Sequence, residues 1–144
     1  MEIAPTAEKR RRILVVDDNQ VILRVLSFKL KANGFEVFSA VDGSEAIAAV
    51  RTKKPDLILL DLNFPPDVGH GGGVPWDGFL IMEWMRHMDE GQGIPIFVIT
   101  GDEPLKSDER ALAAGVRKVF HKPLDHLALL LAIHEVLGPS SASA

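Results

Sequence analysis

Asp17, Asp18, Asp61, Thr100 and Lys122 are the residues of this chain best placed to do chemistry, because each follows a short apolar run. Ile13-Leu14-Val15-Val16 leads into Asp17-Asp18, and Leu57-Ile58-Leu59-Leu60 leads into Asp61. Ile96-Phe97-Val98-Ile99 leads into Thr100, and Val119-Phe120-His121 leads into Lys122-Pro123. If these runs are neighbouring parallel strands, three carboxylates, a hydroxyl and an ammonium gather at one sheet edge. Carboxylates that close raise one another's pKa unless a cation joins them. Mg²⁺ suits the set, being a hard ion commonly held by one or two carboxylates plus phosphate and water. A carboxylate can itself attack phosphorus, and phosphoryl transfer asks mainly for positioning and charge neutralisation. The chemistry expected is therefore a divalent cation beside a phosphoryl group, with Lys122 neutralising one side and the Thr100 hydroxyl donating to a phosphoryl oxygen.

The elements that must carry these residues follow from periodicity. Runs this short and apolar read as strands buried on both faces. After the first, Asn19 caps a helix with apolar positions Ile22, Val25, Leu26 and Leu30, ended by Asn33-Gly34. Glu36 to Ala40 reads as a second strand nearer a sheet edge. Asp42-Gly43-Ser44 opens a second helix that stops before Pro55, and the third strand is Leu57 to Asp61. Asn63 to Asp77, rich in Gly and Pro, reads as a long loop. A third helix runs from about Gly78 to Met88, a fourth from Ser107 to Ala114 ending at Gly115, and a fifth from Leu124 to Leu137. Five strands alternating with five helices give an α/β fold, a doubly wound parallel sheet with helices on both faces. The flavodoxin-like order 2-1-3-4-5 sets strands one and three side by side at the switch point, where ligands bind.

Bulk properties remove other classes. With 144 residues the chain fits one domain, and the absence of cysteine excludes disulfides, thiolate zinc sites and cysteine nucleophiles. A formal net charge of −4 argues against nucleic-acid binding by the whole chain. The run Lys9-Arg10-Arg11-Arg12 is the exception, and it reads as a solvated flank or a docking contact for an acidic partner. No apolar stretch has the ~20 residues of a membrane helix, and Met1 to Thr6 lack the apolar core of a secretory signal. A cytoplasmic protein without membrane contact is expected, with residues 1–11 a flexible basic leader, 12–138 the domain and 139–144 a polar tail.

Taken one at a time, a strand-end Asp, a strand-end Thr and a Lys-Pro pair are ordinary turn and strand residues. Together, ILVVDDN at 13–19, LILLDL at 57–62, FVITG at 97–101 and KP at 122–123 make the chain resemble the receiver domain of bacterial two-component response regulators. The resemblance covers about residues 12 to 138. It implies that Asp61 takes a phosphoryl group from a histidine kinase or phosphotransfer protein. It further implies Mg²⁺ bound by Asp18, Asp61 and the Asn63 carbonyl, with Asp17 acting mainly through metal-bound water. Thr100 would turn toward the phosphoryl oxygens, Lys122 would pair with them, and Pro123 would follow a cis peptide bond. The protein would be a phospho-acceptor with slow self-dephosphorylation rather than an enzyme.

Two departures from the family pattern stand out. The loop from Asp61 to Gly78 is longer than usual, and it carries His70 and Trp76. Three residues before Lys122, where the family commonly has Tyr or Phe, stands Val119, with Phe120 beside it aimed at the opposite face. A stiff Val cannot make the usual aromatic swing. Asn63 and Asp102 occupy positions that tune phosphate lifetime in the family. On the last helix, Leu127, Leu130, Leu131 and His134 make one face and Leu129, Ile133 and Val136 another. That is more than one core contact needs, so a downstream partner or a homodimer through the fourth and fifth helices is expected. Only seven residues follow Leu137, so the expected output is protein–protein contact. A receiver-like scaffold that is not phosphorylated is the alternative. An Asp-nucleophile phosphatase is remote, because Asp61-Leu62-Asn63 lacks the second acid that such enzymes carry two residues on.

Overall fold

The computed structural model describes residues 10–61, 78–101 and 112–138. Five strands pair in parallel: β1 (Arg12–Val16), β2 (Glu36–Ala40), β3 (Leu57–Asp61), β4 (Ile96–Thr100) and β5 (Lys118–His121), in the order β2-β1-β3-β4-β5. The expected doubly wound α/β sheet is the observed one. Central strands β1, β3 and β4 are buried almost throughout, which is why their sequences are continuous apolar runs. Edge strand β2 is more exposed and correspondingly less apolar.

Four α-helices lie among the described residues: α1 (Gln20–Ala32), α2 (Gly43–Lys53), α3 (Gly78–His87) and α4 (His126–Leu137). Local chemistry sets their ends. Asn19 caps α1 by accepting from the Val21 and Ile22 amides at 2.9 and 3.2 Å, and Gly34 at φ 93° closes it. Asp42 caps α2 through the Glu45 amide at 2.8 Å, while the Glu45 side chain accepts from the Val41 amide at 2.9 Å. Lys54, with φ 49°, ends that helix in the left-handed region ahead of Pro55. The last helix begins later than expected, at His126 rather than Leu124, because Asp125 accepts from the Ala128 amide and so becomes the cap. Of the fourth expected helix only Leu112, Ala113 and Ala114 are described, the first two helical and the third already in the turn ahead of Gly115 at φ 97°. The Asn63–Asp77 loop, with His70 and Trp76, lies outside the described residues, as do Asp102 and the rest of that helix.

Alternation along the strands feeds two cores. Leu14, Val16, Ile58, Leu60 and Val98 face α2 and α3. Ile13, Val15, Leu57, Leu59 and Phe97 face α1 and α4. Val119 packs with the first core and Phe120 with the second, its ring 5.6 Å from that of Phe97, so the two point to opposite faces as expected. One expectation needs correcting: Val25 is 41% exposed, and Leu23 takes the core position instead. Arg12 is already engaged, donating to Glu36 at 3.2 Å and to the Lys53 carbonyl at 2.7 Å. No helix among the described residues is long and apolar enough to cross a membrane.

Candidate functional site

Register builds the site. Val16 of β1 pairs with Leu60 of β3, so the next residues, Asp17 and Asp61, emerge side by side. Asp61 in turn pairs with Ile99 of β4, and Thr100 pairs with His121 of β5. Asp17, Asp61, Thr100 and Lys122 therefore each sit at or one step beyond the carboxyl end of their strand, and the sheet stagger brings them to one edge. The amide of Lys122 donates to the Thr100 carbonyl at 2.9 Å, tying the end of β5 to that of β4. The Lys122-Pro123 peptide is cis.

Carboxylate oxygens of Asp17, Asp18 and Asp61 lie within 4.8 Å of one another. Asp17 and Asp61 are buried and Asp18 is exposed, so the cluster has two walls and an open side. Lys122 Nζ donates to Asp61 Oδ2 at 3.3 Å. Thr100 is fully buried. The Asp17 carboxyl accepts from the Asn19 amide at 2.9 Å, which orients it at the start of α1.

This arrangement is electrostatically uncomfortable without a cation. The Asp17 carboxyl is pushed up to about 6 from 3.8. Burial is the main cause; Asp61 and Asp18 add like-charge repulsion, while the Asn19 amide and Lys122 offset part of it. A hard dication placed among these oxygens would reverse that repulsion, so the donor set fits Mg²⁺ on its own chemistry. Asn63, the remaining expected ligand, lies outside the described residues. All five other expected site residues are brought together.

Sequence reasoning missed what adjoins the cluster. An apolar groove of about 280 Å³ opens between α1 and the segment after β5, lined in part by Val21, Val25, Pro123 and Leu124. Its signal was present in the sequence. Val21, Val25 and Phe28 recur on one side of α1, while Leu23, Leu26 and Leu30 take the core side. Two apolar faces on one helix leave one of them uncovered.

The family model for the response regulator receiver domain matches residues 13–134. The chain is 31% identical over 133 residues to the transcriptional regulatory protein PrrA of Mycobacterium tuberculosis, covering 92% of this chain and 52% of PrrA. It thus spans about half the length of that relative. Chemotaxis protein CheY4 of Vibrio cholerae superposes with a TM-score of 0.78 at 27% identity, covering 90% of this chain and 100% of CheY4. The receiver domain of sensor histidine kinase PA1611 from Pseudomonas aeruginosa PAO1 superposes at 0.75 with 26% identity, covering 90% of this chain and 99% of its own. That structure has a magnesium ion coordinated in its active site cleft. With most of the chain matched and the strands in this order, the protein belongs to the response regulator receiver domains of two-component systems.

Proposed function

We propose that Asp61 accepts a phosphoryl group from the phosphohistidine of a histidine kinase or phosphotransfer protein, and that the modified chain changes its protein contacts. The observation that carries this reading is a buried Asp61 carboxylate flanked by two further carboxylates and held at 3.3 Å by the Lys122 ammonium. In the transfer, an Asp61 oxygen forms a bond to phosphorus as the bond from phosphorus to the donor nitrogen breaks. Mg²⁺, held by Asp18, Asp61 and Asn63 with Asp17 behind a bound water, would neutralise charge on the phosphoryl oxygens. Lys122 balances the same charge from the other side and so binds the transferred group rather than exchanging a proton with it. Thr100, one residue past the β4 partner of Asp61, is close enough in register to donate its hydroxyl to a phosphoryl oxygen. The product is a switch state, not a released product, so the chain is a phospho-acceptor with slow self-dephosphorylation.

Added charge and acceptor oxygens would draw Thr100 and the segment after β4 inward. Val119 makes an aromatic swing at β5 unavailable, so the response runs mainly through that segment. Leu127 and Leu131, 67% and 58% exposed one turn apart on α4, suit a downstream partner or a second copy. The functional unit is residues 12–138, flanked by 1–11 and 139–144, and it works in the cytoplasm. The test is intact mass after incubation with Mg²⁺ and a small acyl phosphate. One added phosphoryl group, lost with a chelator and in Asp61→Asn, is expected. No gain from acyl phosphate or from active kinases would leave the non-phosphorylated scaffold instead.

A further inference from the structure

The groove beside the acidic cluster bears on which donors Asp61 can use. It measures about 280 Å³, and its walls are Val21, Ile22 and Val25 of α1 facing Pro123 and Leu124 after β5. It also shares Asp17 and Lys122 with the acidic site. A single space therefore runs from the groups that hold the phosphoryl to an apolar surface. A donor has two parts: the phosphoryl that stays and the leaving group that departs. With the phosphoryl between Asp61 and Lys122, a leaving group on the α1 side meets aliphatic carbon and the Pro123 ring. A cavity of roughly 150 Å³ suffices for benzene, so this groove has room for an aromatic acyl group.

We propose that the groove is a leaving-group subsite that selects small acyl phosphates with apolar, ring-sized acyl groups over acetyl phosphate, the proposal resting on the reading of Asp61 as phospho-acceptor. The step balances without a further reactant. An Asp61 oxygen forms the new bond to phosphorus, the phosphorus–oxygen bond to the acyl group breaks, and the carboxylate departs with the bonding pair. No proton has to move. Val21 and Val25 are the specificity-determining positions, since both are exposed on α1 and line the groove. Covering half of a phenyl ring's surface of roughly 150 Å² is worth on the order of tenfold in binding.

The experiment compares benzoyl phosphate with acetyl phosphate as donors to the full chain with Mg²⁺, following phosphorylation by intact mass with Asp61→Asn as control. The expected result is a specificity ratio, benzoyl over acetyl, on the order of tenfold, collapsing toward one in the Val21→Ser/Val25→Ser double variant. Comparison with that variant removes any difference in intrinsic donor reactivity. Benzoate alone, titrated into the Mg²⁺-loaded wild-type chain, should shift the amide resonances of residues 21–26 and 124–126, a readout that stands even if the double variant does not fold. A ratio near one, or a ratio that survives in a folded double variant, or benzoate shifts absent from those amides, overturns the subsite. If acetyl phosphate still modifies Asp61 in that case, the phospho-acceptor reading stands and only the subsite falls. If neither donor modifies Asp61, the subsite falls, and phosphorylation by active kinases then decides the phospho-acceptor reading separately.

Discussion

Replacing Asp17 by Asn should stabilise the cation-free protein at neutral pH, although it removes a residue of the site. Asn keeps an oxygen to accept from the Asn19 amide, so the substitution deletes charge and little else. The Asp17 carboxyl titrates at about 6 in the folded chain against 3.8 for an unperturbed one. A folded carboxyl with a raised pKa contributes stability that is fully present below the unfolded value and lost as pH rises through the folded one. The wild type should therefore lose stability between about pH 4 and pH 6, by at most ~3 kcal/mol for this displacement. Asp61 and Asp18 share the repulsion, so a gain of roughly 1–3 kcal/mol is expected for Asp17→Asn at about pH 7.5, shrinking toward zero near pH 4. Urea unfolding in the presence of a chelator at the two pH values measures it. Adding Mg²⁺ should stabilise the wild type more than the variant and close part of the gap. An Asp17→Asn chain that is less stable at neutral pH, or whose effect is the same at both pH values, would refute this electrostatic account of the cluster.

Other elements make separate predictions. Asn19→Ala removes the acceptor for two amides at the start of α1 and should cost about 1 kcal/mol in urea unfolding. Gly91→Ala should cost roughly 1–3 kcal/mol, because a Cβ there would stand 2.1 Å from the Met85 carbonyl oxygen, a backbone atom that cannot step aside. His134 packs its ring 5.8 Å from that of Phe35, and its buried Nε2 has no partner among the described residues. His134→Leu should then be neutral or stabilising by up to about 1 kcal/mol, read as a rise in the urea midpoint.

What was legible in the sequence is what a strand or a cap states locally. Val16 and Leu60 are followed by Asp17 and Asp61, and both the strand ends and their meeting at the edge follow from parallel pairing. The cap at Asn19 and the start of α2 at Asp42 were equally plain, since an amide-accepting side chain is strongly favoured just before a helix. Three things were not. Lys54 in the left-handed region has no signal beyond the proline after it, because only the packing of α2 against β1 decides where the chain turns. The face of α1 was misjudged at Val25, since Leu23 and Val25 are equally apolar and only the sheet's position chooses between them. The groove next to Asp17 and Lys122 depends on the spacing of α1 from the segment after β5, a tertiary quantity that periodicity along either one does not contain.

The most direct test of the central claim is where the phosphoryl group goes. The chain would be phosphorylated in Mg²⁺, reduced with borohydride so that an acyl phosphate of aspartate becomes homoserine, and digested for tandem mass spectrometry. The account predicts homoserine at position 61 alone, with Asp17 and Asp18 intact in the same digest. Homoserine at 17 or 18, or phosphate on a residue outside the β1–β3–β4–β5 edge, would contradict it.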